Sequence, residues 1–158
     1  TGLFWLFLII VTLYKKYWLT FLTLFLFWIS HIFELFGKIF VLHPSPPHLF
    51  YRGVVDFNFP SHYVQSDYSY PSGHMMRTSF LVSFLIVFIF LKSHHNIKNF
   101  LILGLIFIAF LMAISRVYLG EHWTTDVVGG MFLGASLGII SAITIPFGKN
   151  KPEKEEFV

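Results

Sequence analysis

The chain has 158 residues, of which 56% are hydrophobic, 20% are aromatic and only 12% are charged. A soluble domain carries about a quarter charged residues, so this chain cannot cover itself with a polar surface, and lipid is its expected solvent. The lack of cysteine excludes disulfides and thiolate chemistry. The net charge of +3 does not indicate a nucleic-acid-binding protein, because the basic residues stand at the ends of apolar runs.

Five apolar runs approach the roughly 20 residues that a helix needs to cross the hydrocarbon, and they cover 2–14, 17–36, 75–91, 99–115 and 123–147. Their lengths favour helices over buried strands, and they lack the alternating pattern of a membrane barrel. The sequence therefore predicts an all-α, polytopic membrane helix bundle. Because the chain begins inside an apolar stretch, we expect a native N-terminus and a sixth core helix to precede it. We predict one membrane-embedded domain over 1–147 and a charged tail over 148–158.

The basic residues predict an orientation for these runs. If the runs alternate in direction, seven lysines fall on one side of the membrane and four basic residues on the other. The positive-inside rule places the lysine-rich side in the cytoplasm. The loop 37–74 and the junction 115–126 then share the outer face. The seven are Lys15, Lys16, Lys92, Lys98, Lys149, Lys151 and Lys154, and the four are Lys38, Arg52, Arg77 and Arg116.

The loop after the second run carries the first polar candidates. Lys38 is either a membrane-end anchor or an anion contact, and the prolines of HPSPPH are expected to stop the helix. The aromatic and polar stretch 48–70 is typical of a segment at the membrane surface. YPSGH (70–74) then leads into the third run, where free backbone N–H groups and a Ser72 cap form an anion cradle, with His74 on its lip. The alternative is that these residues form a turn with a structural role only and bind no anion.

The junction SRVYLGEHWTTD (115–126) is the most polar point between two apolar runs. His122 and Asp126 are spaced i, i+4, so we expect both on one face of the last helix, with the carboxylate orienting the imidazole as a base or nucleophile. A helix-start ion pair is equally consistent with this spacing, and two ligands are too few for a metal. Arg116, beside Ser115, fits a phosphate or a snorkelling anchor.

Glycines recur every fourth residue in the last run, at Gly130, Gly134 and Gly138. Such a stripe of small residues lets a neighbouring helix pack closely in lipid. We interpret it as structural.

The polar segments together resemble the type 2 phosphatidic-acid phosphatase superfamily of integral membrane lipid phosphatases. That family carries K-x6-R-P, then P-S-G-H, then S-R-x5-H-x3-D. The chain has the second block as Pro71–His74 and the third complete from Ser115 to Asp126. In the first block, Lys38 is followed by Ser45-Pro46, so serine stands where the family has arginine.

The resemblance implies a role for each matching residue. His122 attacks phosphorus and becomes a phosphohistidine, Asp126 holds its ring, and His74 protonates the departing lipid oxygen. The implied phosphate contacts are Lys38, Ser72, Gly73 and Arg116, with Ser45 and Arg77 as further candidates, and no metal or cofactor is implied. Ser45 is an engineered change, a natural variant compensated by Arg52 or Arg77, or the mark of a weakened enzyme.

The resemblance also implies a substrate class and a location. The expected substrate is a lipid phosphate, such as a polyprenyl (undecaprenyl) diphosphate, phosphatidate, phosphatidylglycerol phosphate or the 1-phosphate of lipid A. The site would face the periplasm from a bacterial inner membrane, as part of phospholipid and cell-envelope metabolism. Membrane lipids are the other expected partners, and the oligomeric state stays open. A lipid phosphotransferase and a non-catalytic lipid-binding relative are the alternatives; a transporter fits less well, because the ionisable residues gather at one face.

Overall fold

The computed structural model of the protein describes residues 6, 10, 14, 18–52, 68–92 and 97–144. Within these ranges, four α-helices follow one another, and no β-strand occurs. Three of the helices, α2 to α4, are long and apolar enough to cross a membrane. The described part of the chain therefore confirms the all-α prediction. The helices are α1 (Trp18–Phe40), α2 (Gly73–Lys92), α3 (Lys98–Tyr118) and α4 (Thr124–Thr144), with a short 3-10 helix at His48–Phe50.

The predicted first run, 2–14, lies outside the described residues apart from three single positions. The same holds for most of the aromatic loop and for the predicted tail 148–158. The five-helix count and the six-helix core therefore stay predictions.

The helix ends differ from the ends of the apolar runs. Lys38 lies in the last turn of α1, Gly73 and His74 open α2, and Arg116 lies in the last turn of α3. We had expected these residues in the connections between helices. A helix satisfies its own backbone hydrogen bonds whatever the polarity of its side chains, so it continues past the point where the apolar run stops.

The start of α4 corrects the expectation for His122. The helix begins at Thr124, so His122 precedes it and the prediction of a shared helix face with Asp126 is wrong. The carboxylate of Asp126 accepts the backbone N–H of Trp123 at 2.9 Å. This is the reciprocal half of a capping box, and it makes Trp123 the N-cap, the residue directly before the first helical residue.

The glycine stripe forms the closest helix contact. α4 packs most extensively on α2, and a Cβ at any of the three stripe glycines would overlap a backbone carbonyl of α2 or of Ser72, the residue before it. Small residues permit such an approach in lipid, so the structural interpretation of the stripe is confirmed. The carbonyls facing Gly130, Gly134 and Gly138 belong to Ser72, Met76 and Phe80, in that order.

The described core lies between α1, α2 and α4. Phe27 of α1 meets Phe80 of α2 edge to face, with ring centroids 5.4 Å apart, and both rings are buried. α3 packs chiefly on α2, and none of its residues is buried by the part of the protein that the structure describes. An apolar, uncovered helix surface of this kind suits contact with lipid.

Candidate active site

Two loops are tied to the start of α4 by hydrogen bonds. The backbone N–H of Ser72 donates to the carbonyl of Asp126 at 3.0 Å. The indole N–H of Trp123 donates to the carbonyl of Pro44 at 2.8 Å. The segments that carry the three sequence blocks therefore meet at one end of the helix bundle.

The turn between α3 and α4 is fixed by Gly120, which has a φ of +71°. This left-handed conformation is open to glycine at little cost, and a side chain there would overlap the carbonyl of Phe50. The neighbouring carbonyl of Leu119 accepts the backbone N–H of Arg52 at 2.9 Å. These contacts hold the loop after α1 against the turn.

His122 and Asp126 face each other inside the protein. Nδ1 of His122 lies 3.5 Å from Oδ2 of Asp126, with 12% of the imidazole and 0% of the carboxylate exposed. That distance is at the outer limit of a hydrogen bond, and Nδ1 has no closer partner within the described ranges. A carboxylate on this side of the ring favours the Nδ1–H tautomer, which leaves a lone pair on Nε2.

His74 lies in the same polar cluster. It occupies the first turn of α2 and is exposed. Its imidazole interacts electrostatically with Arg116, Arg77, Glu121 and His122. The helix start of the second block and the junction of the third block therefore bring two histidines and two guanidinium groups together.

The N-terminus of α2 is shaped by Ser72 and Gly73. Ser72 is fully buried in the capping position, but its hydroxyl makes no hydrogen bond within the part of the chain that the structure describes. The predicted cap bond is therefore not formed. A Cβ on Gly73 would overlap the carboxylate of Glu34, so glycine allows this acidic side chain to lie against the helix start.

Each cation expected to contact phosphate is held by a carboxylate. Nζ of Lys38 lies 3.0 Å from Oε1 of Glu34, and Arg77 lies 2.5 Å from its Oε2. Arg116 lies 2.6 Å from Oε2 of Glu121. The sequence reasoning did not single out either acid. The i, i+4 spacing of Glu34 and Lys38 was a signal for the first pair, whereas nothing local connects Glu34 to Arg77.

The structure separates the two arginines considered as substitutes at the position of Ser45. The guanidinium of Arg52 lies 4.8 Å from the ring centroid of Tyr118, on which it stacks. Arg77 instead belongs to the Glu34 network and acts electrostatically on His74. Ser45 itself is half-buried.

A third histidine, missed by the sequence reasoning, also faces Asp126. Nδ1 of His43 lies 3.1 Å from Oδ1 of that carboxylate. His43 stands at one of the unspecified positions of the first block, and its side-chain contacts come from residues distant in sequence, so no local signal pointed to it. Among residues 18–52, 68–92 and 97–144, no group of three His, Asp or Glu side chains is arranged to hold a metal ion.

Comparisons with known proteins agree with the resemblance. The family model described as the PAP2 superfamily matches residues 16–148. Phosphatidylglycerophosphatase B of Bacillus subtilis is 42% identical over 77 residues, which cover 46% of this chain and 37% of that protein. An undecaprenyl-diphosphatase of Sulfolobus acidocaldarius is 41% identical over 90 residues, which cover 54% and 40%. The chain thus spans about two fifths of the length of either relative. No solved structure matches it.

Proposed function

The chain belongs to the PAP2 superfamily, and from that premise we propose that it is a membrane lipid phosphatase acting through a phosphohistidine. The observation that carries the proposal is the meeting of His74, Arg116 and His122 beside the buried Asp126. Perturbed ionisable groups that converge near a helix N-terminus are candidates for catalysis. Two relatives whose names denote phosphatases of membrane lipids support the same reaction class.

The proposed reaction has two steps. Nε2 of His122 attacks phosphorus, the bond between phosphorus and the lipid oxygen breaks, and His74 donates its proton to that oxygen. Water then attacks the phosphohistidine, the phosphorus–nitrogen bond breaks, and His74 takes the proton from the water. Asp126 stays ionised and keeps the His122 ring in its tautomer, as the carboxylate of a catalytic triad does for its histidine.

Positive charge supplies the stabilisation of the phosphoryl oxygens in this proposal. Lys38, Arg77 and Arg116 come from three different helices, and the free hydroxyl of Ser72 and the N-terminus of α2 add neutral donors. A phosphate carries more charge than a carboxylate and accepts two parallel bonds from a guanidinium. It therefore competes with Glu34 and Glu121 for these cations when the substrate binds.

The pH dependence follows from the two histidine roles. His122 must be neutral to attack and His74 must be protonated to donate, so kcat/KM should fall on the acidic side as His122 takes a proton and on the alkaline side as His74 loses one. We expect a bell-shaped profile when kcat/KM is measured from about pH 5 to pH 9. A phosphate-release assay at constant ionic strength measures it. A flat profile over this range would contradict the assignment of the two roles.

A cavity of about 500 Å³ along the first half of α4 supports a lipid substrate. Tyr70 and Thr125 line its polar end, whereas Val128, Phe132 and Leu133 line the apolar remainder along α4. The lining residue Thr125 also contacts His43, at 3.4 Å from its Nε2. An apolar groove in this place suits the chain of a lipid whose phosphate is held by the cations. We propose as substrate a polyprenyl diphosphate, phosphatidate, phosphatidylglycerol phosphate or lipid A 1-phosphate. We place the proposed site on the periplasmic face of a bacterial inner membrane.

Phosphate release from a panel of these lipids in detergent tests the proposed function. The wild-type protein should release phosphate from at least one of them without added acceptor. Release only when a lipid or alcohol acceptor is present would indicate a phosphotransferase. No release from any substrate would contradict the phosphatase and leave a lipid-binding relative.

Variants at positions 77 and 45 test whether Arg77 replaces the arginine that the first block lacks. We expect Arg77→Ala to lower kcat/KM about 10- to 100-fold, the worth of one charge-assisted hydrogen bond to the substrate. Adding Ser45→Arg, which restores the family pattern, should recover part of that loss. Arg52→Ala is the matched control and should stay within about threefold, because its guanidinium stacks on Tyr118. Wild-type activity in Arg77→Ala would show that this arginine does not replace the missing one.

A further inference from the structure

We propose that His43 is a positioning residue for the nucleophile: it holds Oδ1 of Asp126 and thereby turns the other oxygen, Oδ2, toward His122. The inference rests on the proposed function, since it assigns a part in the same site. It adds a histidine from the segment after α1, two residues before Ser45, at one of the unspecified positions of the first block.

The first argument comes from the needs of a buried carboxylate. Asp126 is 0% exposed, and a buried charge is tolerated when it is paired and each oxygen has a partner. Oδ2 accepts the Trp123 N–H at 2.9 Å and faces His122 at 3.5 Å. Oδ1 lies 3.1 Å from Nδ1 of His43, a polar contact that is not a hydrogen bond, and it accepts no hydrogen bond from the described residues.

The second argument is that His43 is itself held from both ends of its ring. Nε2 lies 3.4 Å from the hydroxyl of Thr125, and Nδ1 lies 3.5 Å from the hydroxyl of Ser69. A neutral ring with its hydrogen on Nδ1 suits these neighbours, because Nδ1–H then faces the Ser69 hydroxyl and the carboxylate while Nε2 accepts from Thr125. In this form, His43 contributes a fixed position beside the carboxylate.

The consequence is a chain of three groups, His43, Asp126 and His122. Truncating His43 leaves Oδ1 without its nearest partner, so the carboxylate can rotate and His122 loses its fixed orientation. Misplacing a reacting group by about 1 Å costs on the order of 100-fold in rate. Because 35% of the His43 side chain is exposed, its replacement should leave the core of the bundle intact.

The test compares three variants at position 43 on the lipid that the wild type hydrolyses best. His43→Ala and His43→Gln should lower kcat about 10- to 100-fold while KM stays within about threefold. His43→Asn should recover most of kcat, because its amide N–H stands where Nδ1–H stood, whereas the glutamine amide corresponds to Nε2. A change in KM alone, or equal loss in all three variants, would overturn the positioning role.

A second readout does not depend on turnover. In protein labelled with ¹⁵N-histidine, the His122 ring should be in its Nδ1–H tautomer in the wild type and His43→Asn, and a mixture of tautomers in His43→Ala. An unchanged His122 spectrum in His43→Ala would overturn the inference. If the wild type releases no phosphate from any lipid, the proposed function fails by itself, and the NMR comparison still decides the place of His43.

Discussion

Replacement of His122 by alanine is expected to lower kcat for phosphate release by at least about 1,000-fold, because the variant lacks the atom that forms the covalent intermediate. The imidazole is nearly buried beside a fully buried carboxylate, so its removal should change little of the outer surface of the protein. Phosphate release measured at saturating lipid gives kcat directly.

Variants of two other histidines show whether the loss of activity is specific to His122. His31→Gln is the matched control, because Nδ1 of His31 contacts the Phe27 carbonyl within α1, and its activity should stay within about twofold. His74→Ala should lose activity on lipids but regain the first step, seen as a burst of the released phenol, on an aryl phosphate, whose leaving group needs no proton. His122→Ala should stay inactive on both substrates. Equal rescue of both variants would contradict the assignment of the nucleophile.

Replacement of Gly134 by valine is expected to destabilise the protein by about 3 kcal/mol or more, the upper range for an overpacked contact. The Cβ of any residue at 134 would overlap the backbone carbonyl of Met76. A backbone atom cannot move aside as a side-chain tip can, so α4 and α2 must separate. Thermal unfolding in detergent should show a large drop in Tm, accompanied by loss of activity because both helices carry parts of the site.

Gly104 supplies the control for this packing argument. It lies in the middle of α3, and a Cβ there meets nothing within 4 Å in the described structure. Gly104→Ala should therefore be neutral or stabilise by about 0.5–1 kcal/mol through helix propensity. A Gly134→Val protein that unfolds at the wild-type temperature would show that the close approach of α2 and α4 does not hold the bundle together.

The helices could be predicted from sequence because the apolar runs have the length of a membrane span. Their ends could not, since hydropathy reports which residues prefer lipid and not where backbone hydrogen bonding stops. Arg116 is polar yet helical, and His122 lies before its helix although its spacing to Asp126 suggested otherwise. The capping bond from Trp123 to Asp126 decides that boundary.

The sequence could predict those residues of the proposed site that belong to the three sequence blocks. His74, Arg116, His122 and Asp126 were expected to lie together from their spacing and membrane side, and they interact in the structure. Glu34 and His43 were not expected in the site. Their partners Arg77 and Asp126 come from other helices, so only the tertiary fold brings them into contact.

Trapping the covalent intermediate tests the central claim most directly. The protein is mixed with a lipid carrying ³²P in the phosphate that is removed, quenched within milliseconds in alkali, where phosphohistidine survives, and mapped by mass spectrometry. The account predicts an acid-labile label on His122 that is absent in His122→Ala and accumulates in a variant whose second step is slowed. A label on any other side chain, or turnover without a label under conditions that trap phosphohistidine, would contradict it.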